Sequence, residues 1–338
     1  MPTAPHGAIA RGRTGRKGTN SGEQAMKVVL HNDAGQQTAQ RLASLATDGI
    51  EVAVCDGRDG ARFAALMAEA EVLWHMFEPV TAALMATAPR LKLVQRLGVG
   101  LDLIDIAAAR DRGIAVANTP GANAPAVAEM ALTLMLGALR RLSLLDRTTR
   151  SGGWAIDPVI QRQMGEIGGR TIGLVGYGSI PSRLAPVLAA MGARVLYTAR
   201  TPKTEARADW RSLPDLLAEA DIVSLHVPLT PQTERMIDGA AIARMKPGAI
   251  LVNTARGALV DEAALVEALR SGRLAAAGLD VFAAEPVKSD NPLLALDNVV
   301  VAPHAAWMTA ETMDRCFAMA IDNVRRLIDR RPLANRAA

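Results

Sequence analysis

The sequence predicts an α/β fold of two doubly wound parallel-sheet domains with a cleft between them. Three observations predict it. Short apolar runs alternate with amphipathic helical stretches in two successive series, the rhythm of parallel strands joined by crossover helices. A strand running through Gly176-Tyr177-Gly178 into a helix opens the second series. The chain has 338 residues, half of them apolar, enough for two cores at about 150 residues per domain.

In the first series, 27–30, 51–54, 71–74, 91–95 and 114–117 read as buried strands, separated by helices at 37–45, 61–70 and 80–87. Residues 124–150 read as one helix, apolar on most sides over its first four turns, so it is expected in a domain junction or a subunit interface. Six strands follow, at 171–175, 194–197, 222–225, 249–252, 275–279 and 299–301, with helices at 182–191, 213–220 and 262–271. This second rhythm is that of a Rossmann-like, dinucleotide-binding domain, and the first that of a flavodoxin-like one. A last helix, 309–330, comes after the second sheet is complete and is expected to return to the first domain. The expected division is a disordered basic tail (1–25), a discontinuous substrate domain (26–123 and 306–335) and a dinucleotide-binding domain (124–305).

Composition excludes several classes. The longest apolar stretch, 124–139, carries Glu129 and is shorter than the roughly 18 residues a membrane span needs. Net charge is +4, but residues 1–25 hold four cations and one carboxylate, leaving the rest at +1, with no basic footprint for nucleic acid. The tail lacks an apolar or amphipathic leader pattern. Cys55 and Cys316 stand alone without metal-ligand spacing, so a reduced, cytoplasmic protein without a metal site is expected.

Chemistry collects where strands of the second series end. Gly176-Tyr177-Gly178, Thr198-Ala199-Arg200, His226-Val227-Pro228, Asn253 to Gly257, Asp280 and His304 all follow strands. In open parallel sheets this rim is where ligands bind. Gly176 permits the tight turn, and Gly178, Ser179 and Ile180 let a pyrophosphate reach the positive helix terminus. Pro181 stands in place of the usual third glycine, which the first turn of a helix tolerates. After the second strand, 197–203 offers no carboxylate for a ribose hydroxyl; Arg200, with Thr198 and Thr201 beside it, offers a guanidinium fork instead. NADP(H) is therefore expected over NAD(H).

The motifs Gly98-Val-Gly-Leu-Asp102, Asn118-Thr-Pro-Gly, Val127-Ala-Glu129, Gly173 to Gly178, His226 to Thr230, Val252 to Gly257, Gly278 to Phe282, Glu285-Pro286 and Pro303-His304 occur in order. Through them residues 26–335 resemble the D-isomer-specific 2-hydroxyacid dehydrogenases, particularly the glyoxylate and hydroxypyruvate reductase branch. The resemblance implies a catalytic trio of Arg256, Glu285 and His304 and a substrate in the interdomain cleft. It also implies that Asp280 meets the nicotinamide carboxamide, that Thr254 and Ala255 border the nicotinamide, and that Val99 and Gly100 offer N–H groups to the substrate carboxylate. His226, Val227, Pro228 and Thr233 are expected along the cofactor loop. Trp307, where many relatives have a Gly/Ser-rich turn, is expected at the substrate.

These residue types suit reduction of a small 2-keto acid to the D-2-hydroxy acid. Arg256 would hold the carboxylate and orient the carbonyl, and His304 would protonate the developing alkoxide while Glu285 stabilises the imidazolium. A D-3-phosphoglycerate dehydrogenase-like enzyme, its sequence stopping soon after the last helix, and a nucleotide-sensing corepressor-like scaffold remain alternatives. The apolar helix from Ala124 and Trp154 in Ser151-Gly-Gly-Trp point to a homodimer.

Overall fold

The computed structural model describes residues 25–338; the expected tail, 1–25, lies outside them but for its last residue. Two wholly parallel sheets carry the fold. β1 (Met26–His31), β2 (Ile50–Cys55), β3 (Val72–His75), β4 (Leu93–Arg96) and β5 (Ala115–Ala117) form the first, in the order β2-β1-β3-β4-β5. The second contains β6 (Thr171–Val175), β7 (Arg194–Thr198), β8 (Asp209–Trp210), β9 (Ile222–Leu225), β10 (Ala249–Asn253), β11 (Leu274–Leu279) and β12 (Val299–Val301), in the order β12-β11-β10-β9-β6-β7-β8. These are the doubly wound orders of flavodoxin-like and Rossmann-like sheets, with switch points between β1 and β3 and between β6 and β9.

The central strands are apolar on both faces because helices cover both. In β9 and β10, Val223, Leu225 and Leu251 enter one core, while Ile222, Ile250 and Val252 enter the core on the opposite face. The first sheet divides likewise: Val28, Leu30, Val72 and Trp74 face one side, Val29 and Leu73 the other. Cys316, Phe317, Ala320 and Val324 of the last helix, Ala310–Ile328, join the Val28–Trp74 core. Asn323 of that helix donates to Gln95 at 2.7 Å, both side chains buried, and Val116 of β5 donates to the carbonyl of Ala338. The chain's end thus packs against its beginning.

Three readings need correction. The second sheet has seven strands, not six; β8 is two exposed residues and carries no apolar run. Residues 124–150 form two helices, Ala124–Leu139 and Leu142–Arg150, because Arg141 turns left-handed (φ 52°) and donates to Gln163 at 3.0 Å. Apolar spacing cannot distinguish that kink from a continuous helix. The helix Ala124–Leu139 is also covered within the chain, its Leu134, Met135 and Ala138 packing on Ile172, Leu184 and Val252, so its apolarity by itself demands no second subunit.

Candidate active site

Loops following strands of both sheets line one cleft of about 1060 Å³. From the first sheet come 76–79 after β3 and 96–103 after β4; from the second come 256–258 after β10, 282–287 after β11 and 303–308 after β12. Arg256, Glu285 and His304 all face it.

Arg256 is placed by its own turn. Buried Asn253 accepts from the Ala255 N–H at 3.0 Å and donates to the Arg256 carbonyl at 2.8 Å, closing 253–256 into a bracket. Gly257 lies so close to the neighbouring loop that a Cβ there would fall 1.9 Å from the Phe282 carbonyl carbon. Only a residue without a side chain lets the Arg256 turn and the Glu285 loop touch. The guanidinium then reaches across the cleft. Nε and Nη2 donate to the two carboxylate oxygens of Asp102 at 3.2 and 3.0 Å, and Nη1 donates to the Ala255 carbonyl at 2.8 Å. Partial burial would raise the Asp102 carboxyl, but the hydrogen bonds and charge of Arg256, with Arg96 beyond, hold it below the usual range.

His304 follows β12 in the left-handed region, φ 54°, a conformation costly for a non-glycine residue. Asp280 imposes it. Its carbonyl accepts from the His304 N–H at 2.7 Å, and its carboxylate accepts from the Ala305 and Ala306 N–H groups at 2.7 and 3.0 Å. Asp280 is fully buried, and that desolvation raises its pKa despite the two N–H donations. The residue expected at the nicotinamide carboxamide therefore also shapes the histidine turn. His304 Nδ1 lies 2.6 Å from Glu285 Oε2, and Glu285 Oε1 accepts from the Phe282 N–H at 3.0 Å. Burial pushes Glu285 upward, but the bonds from His304 and Phe282, with the charge of Arg256, outweigh it and leave the carboxyl below its usual range. An ionised carboxylate accepts only, so Nδ1 carries hydrogen and Nε2 is left for the cleft.

Near these groups, Val99 and Gly100 line the cleft, and no acceptor takes their N–H groups among the described residues. Asn118 donates to the Val99 carbonyl at 2.8 Å and fixes that loop. Trp307 meets Phe77 from the loop after β3, ring centroids 5.7 Å apart, and the two form an aromatic wall.

The β6 turn fits a dinucleotide. Gly176 has φ 99°, and a Cβ there would fall 2.6 Å from the His226 carbonyl oxygen, so the turn closes against the loop after β9 only with glycine. Gly178 would meet nothing within 4 Å, which leaves the space above the turn open, and Ser179 beside it is exposed. Ile180 leads into the helix Pro181–Ala190, whose first residue is the proline. Thr198 accepts from the Gly176 N–H through its carbonyl, and Arg200 and Thr201 are exposed beyond it. The Thr254 hydroxyl oxygen and His226 Nδ1 are buried without a partner among the described residues, polar atoms at the ends of β10 and β9 that a bound ligand can satisfy. Thr233 instead turns its hydroxyl onto its own loop, donating to the Pro228 carbonyl at 2.7 Å. Val227 packs against the core that holds Leu225 and Leu251, and Pro228 is exposed.

Comparison with known proteins agrees with this arrangement. The sequence profile of the D-isomer specific 2-hydroxyacid dehydrogenase NAD binding domain matches residues 132–306. The chain is 44% identical over 266 residues to a glyoxylate reductase of Aeropyrum pernix, covering 76% of this chain and 79% of that protein. The chain belongs to the D-isomer specific 2-hydroxyacid dehydrogenases. It is also 43% identical over 305 residues to a D-3-phosphoglycerate dehydrogenase of Mycobacterium leprae, covering 89% of this chain but only 56% of that protein's length. A solved structure of a Thermus thermophilus protein superposes with a TM-score of 0.84 at 38% identity, covering 93% of this chain and all of that one. Among the described residues, no helix is long and apolar enough to cross a membrane, and no three or more His, Cys, Asp or Glu side chains form a group that could hold a metal ion.

The sequence by itself points to no role in this site for Asp102, Arg96 or Asn253. Asp102 and Asn253 were in view as members of quoted motifs, yet a motif names a position and not the partner its side chain finds. Arg96 ends β4 and belongs to none of those motifs. His75, the last residue of β3, is packed: its ring is buried, Nε2 meets the Glu78 carbonyl, and it does not line the cleft. Burial, with Arg96 beside it, pushes His75 down to about 4. Burial likewise takes His226, whose Nε2 lies 2.9 Å from the Ser224 hydroxyl, to about 4.

Both rings are therefore neutral in the folded protein. Between their unfolded value of 6.5 and about 4, the unfolded chain binds protons that the folded chain refuses, so stability falls as pH drops through that window. Each ring accounts for about 3 kcal/mol across it. Denaturant midpoints from pH 7 to 4.5 should fall accordingly, and His226→Gln should flatten the curve; an unchanged slope in the variant would refute the assignment.

Proposed function

We propose that the protein reduces a small 2-keto acid of the glyoxylate or hydroxypyruvate kind to the D-2-hydroxy acid, preferring NADP(H) to NAD(H). The observation that carries this is the meeting of Arg256 with the His304–Glu285 pair on one cleft, across which Asp102 grips the guanidinium.

Asp102 occupies the side of the guanidinium formed by Nε and Nη2, leaving one hydrogen each on Nη1 and Nη2. Those hydrogens, with the Val99 and Gly100 N–H groups, hold the substrate carboxylate and turn its ketone towards the cofactor. Gly176 to Ile180 would hold the pyrophosphate of a reduced dinucleotide, with Thr254, Ala255 and Asp280 beside its nicotinamide, and that group would supply the hydride. His304 Nε2 gives its proton to the carbonyl oxygen as charge develops there, and Glu285 stabilises the cation during that transfer. Residues 26–123 with 306–335 would act as the substrate domain and 124–305 as the cofactor domain, closing together to exclude water.

Arg96 favours a second reading of the substrate. It lines the cleft and makes no ion pair among the described residues, donating only to the Gly100 and His75 carbonyls at 3.2 and 3.4 Å. Burial and the charge of Arg256 lower it to about 10. A half-buried guanidinium on the cleft without a carboxylate of its own suits a keto acid with a second anionic group, as in a phosphoglycerate dehydrogenase-like enzyme.

Purified protein with NADPH and a panel of 2-keto acids tests both readings. Turnover is expected. His304→Gln and Arg256→Ala should each lose about 10²–10⁴ in rate, while Arg244→Ala, on an exposed helix end, should not. Asp102→Asn should raise the keto-acid KM about ten-fold. Arg96→Met should raise KM only for keto acids carrying a second anion. Absence of turnover with every keto acid would refute the proposal.

For the cofactor, KM for NADPH should lie below that for NADH, and Arg200→Ser should remove about ten-fold of the difference. A wild-type preference for NADH would refute it.

A homodimer is proposed from exposed apolar side chains near one another in sequence, Leu142, Trp154, Ile156 and Val159, with Trp154 89% exposed. Sedimentation should give a dimer that Trp154→Glu weakens. Unpaired Cys55 and Cys316, both buried, support a cytoplasmic setting.

A further inference from the structure

The middle residue of the Gly176-Tyr177-Gly178 turn is not needed for the turn itself; the conformational demand falls on Gly176. Its side chain does something else. The Tyr177 ring packs on Tyr197 of β7, centroids 4.5 Å apart, and its hydroxyl accepts from the Arg207 N–H at 2.9 Å. The Tyr197 hydroxyl accepts from the Lys203 N–H at 2.6 Å. Both backbone groups caught by the tyrosine pair therefore belong to cations, and both cations sit on the largely exposed 199–208 loop with Arg200. Other ties on that loop are a Trp210 Nε1 bond to the Ala199 carbonyl and an Ala206 N–H bond to Lys203.

We infer that Tyr177 is a positioning residue for cofactor selection: its hydroxyl fixes the backbone of the loop bearing Arg200, Lys203 and Arg207 to the phosphate turn, setting where those cations meet the adenosine ribose phosphate. The inference rests on reading that loop as the 2′-phosphate site. It follows from geometry and entropy. A loop of exposed, flexible cations discriminates poorly between a ribose with and without a phosphate, because ordering it on binding offsets the charge attraction. A loop already tied at two points loses less freedom. The same residue places one end in the phosphate cradle and the other on the loop, so the two parts of the dinucleotide site are held in register.

Tyr177→Phe keeps the ring and removes the tether. Calorimetric titration of wild type and variant with NADPH and with NADH, and trypsin digestion of the protein without cofactor, test the inference. The variant should lose about five-fold in NADPH affinity relative to NADH, and trypsin should cut faster after Lys203 and Arg207. A wild type that binds NADH more tightly overturns both the cofactor reading and this one. A wild-type preference for NADPH that Tyr177→Phe leaves intact, with trypsin cleavage also unchanged, overturns this one alone.

Discussion

Arg256 reaches from the loop after β10 of one sheet to Asp102 in the loop after β4 of the other, and the cleft keeps its shape through that pair. The two side chains are 27% and 38% exposed, so the pair is neither fully screened by water nor fully desolvated. Its value is chiefly geometric. A long side chain with many rotamers is confined to one position facing His304, and the confinement is complete before any substrate arrives. Arg96 brings a second guanidinium to the same cleft, and its charge adds to that of Arg256 in holding the Asp102 carboxyl below its usual range.

Behind this pair, close backbone approach does the positioning. Gly257 brings the Arg256 turn against the backbone of Phe282, and the Phe282 N–H in turn orients Glu285. Asp280, two residues before Phe282, holds His304, Ala305 and Ala306 with its carbonyl and carboxylate. One short segment, 280–285, thus governs the histidine's strained conformation, the orientation of its carboxylate partner and the packing of the arginine turn. Charge placement in the site is therefore tied to strand ends rather than to free loops, which suits chemistry that depends on preorganised donors.

The two parallel sheets were legible because parallel strands covered on both faces are written as continuous apolar runs, and because 3.6-residue patterning separates them. Gly176, Arg256 and His304 were legible because each follows such a run, and Glu285 through the family resemblance. β8 was not, since two exposed residues leave no apolar trace. The break at Arg141 was not, since it depends on Gln163, 22 residues away. The role of Asp102 was not, since an aspartate after a glycine-rich turn carries no mark of the arginine 154 positions later that it binds.

Periodicity and strand-end chemistry by themselves determined a pair of parallel sheets, a phosphate turn on the second, and a set of polar residues along its rim. Tertiary structure alone decided which of those residues meet. It decided that Asp280 turns inward to hold a backbone, that Thr233 closes its own loop, and that Tyr177 reaches the 199–208 segment. The physical reason is that local patterns record what each residue requires of its immediate chain neighbours, whereas ion pairs and buried hydrogen bonds are chosen by whichever distant group the packing of two sheets brings within about 3 Å.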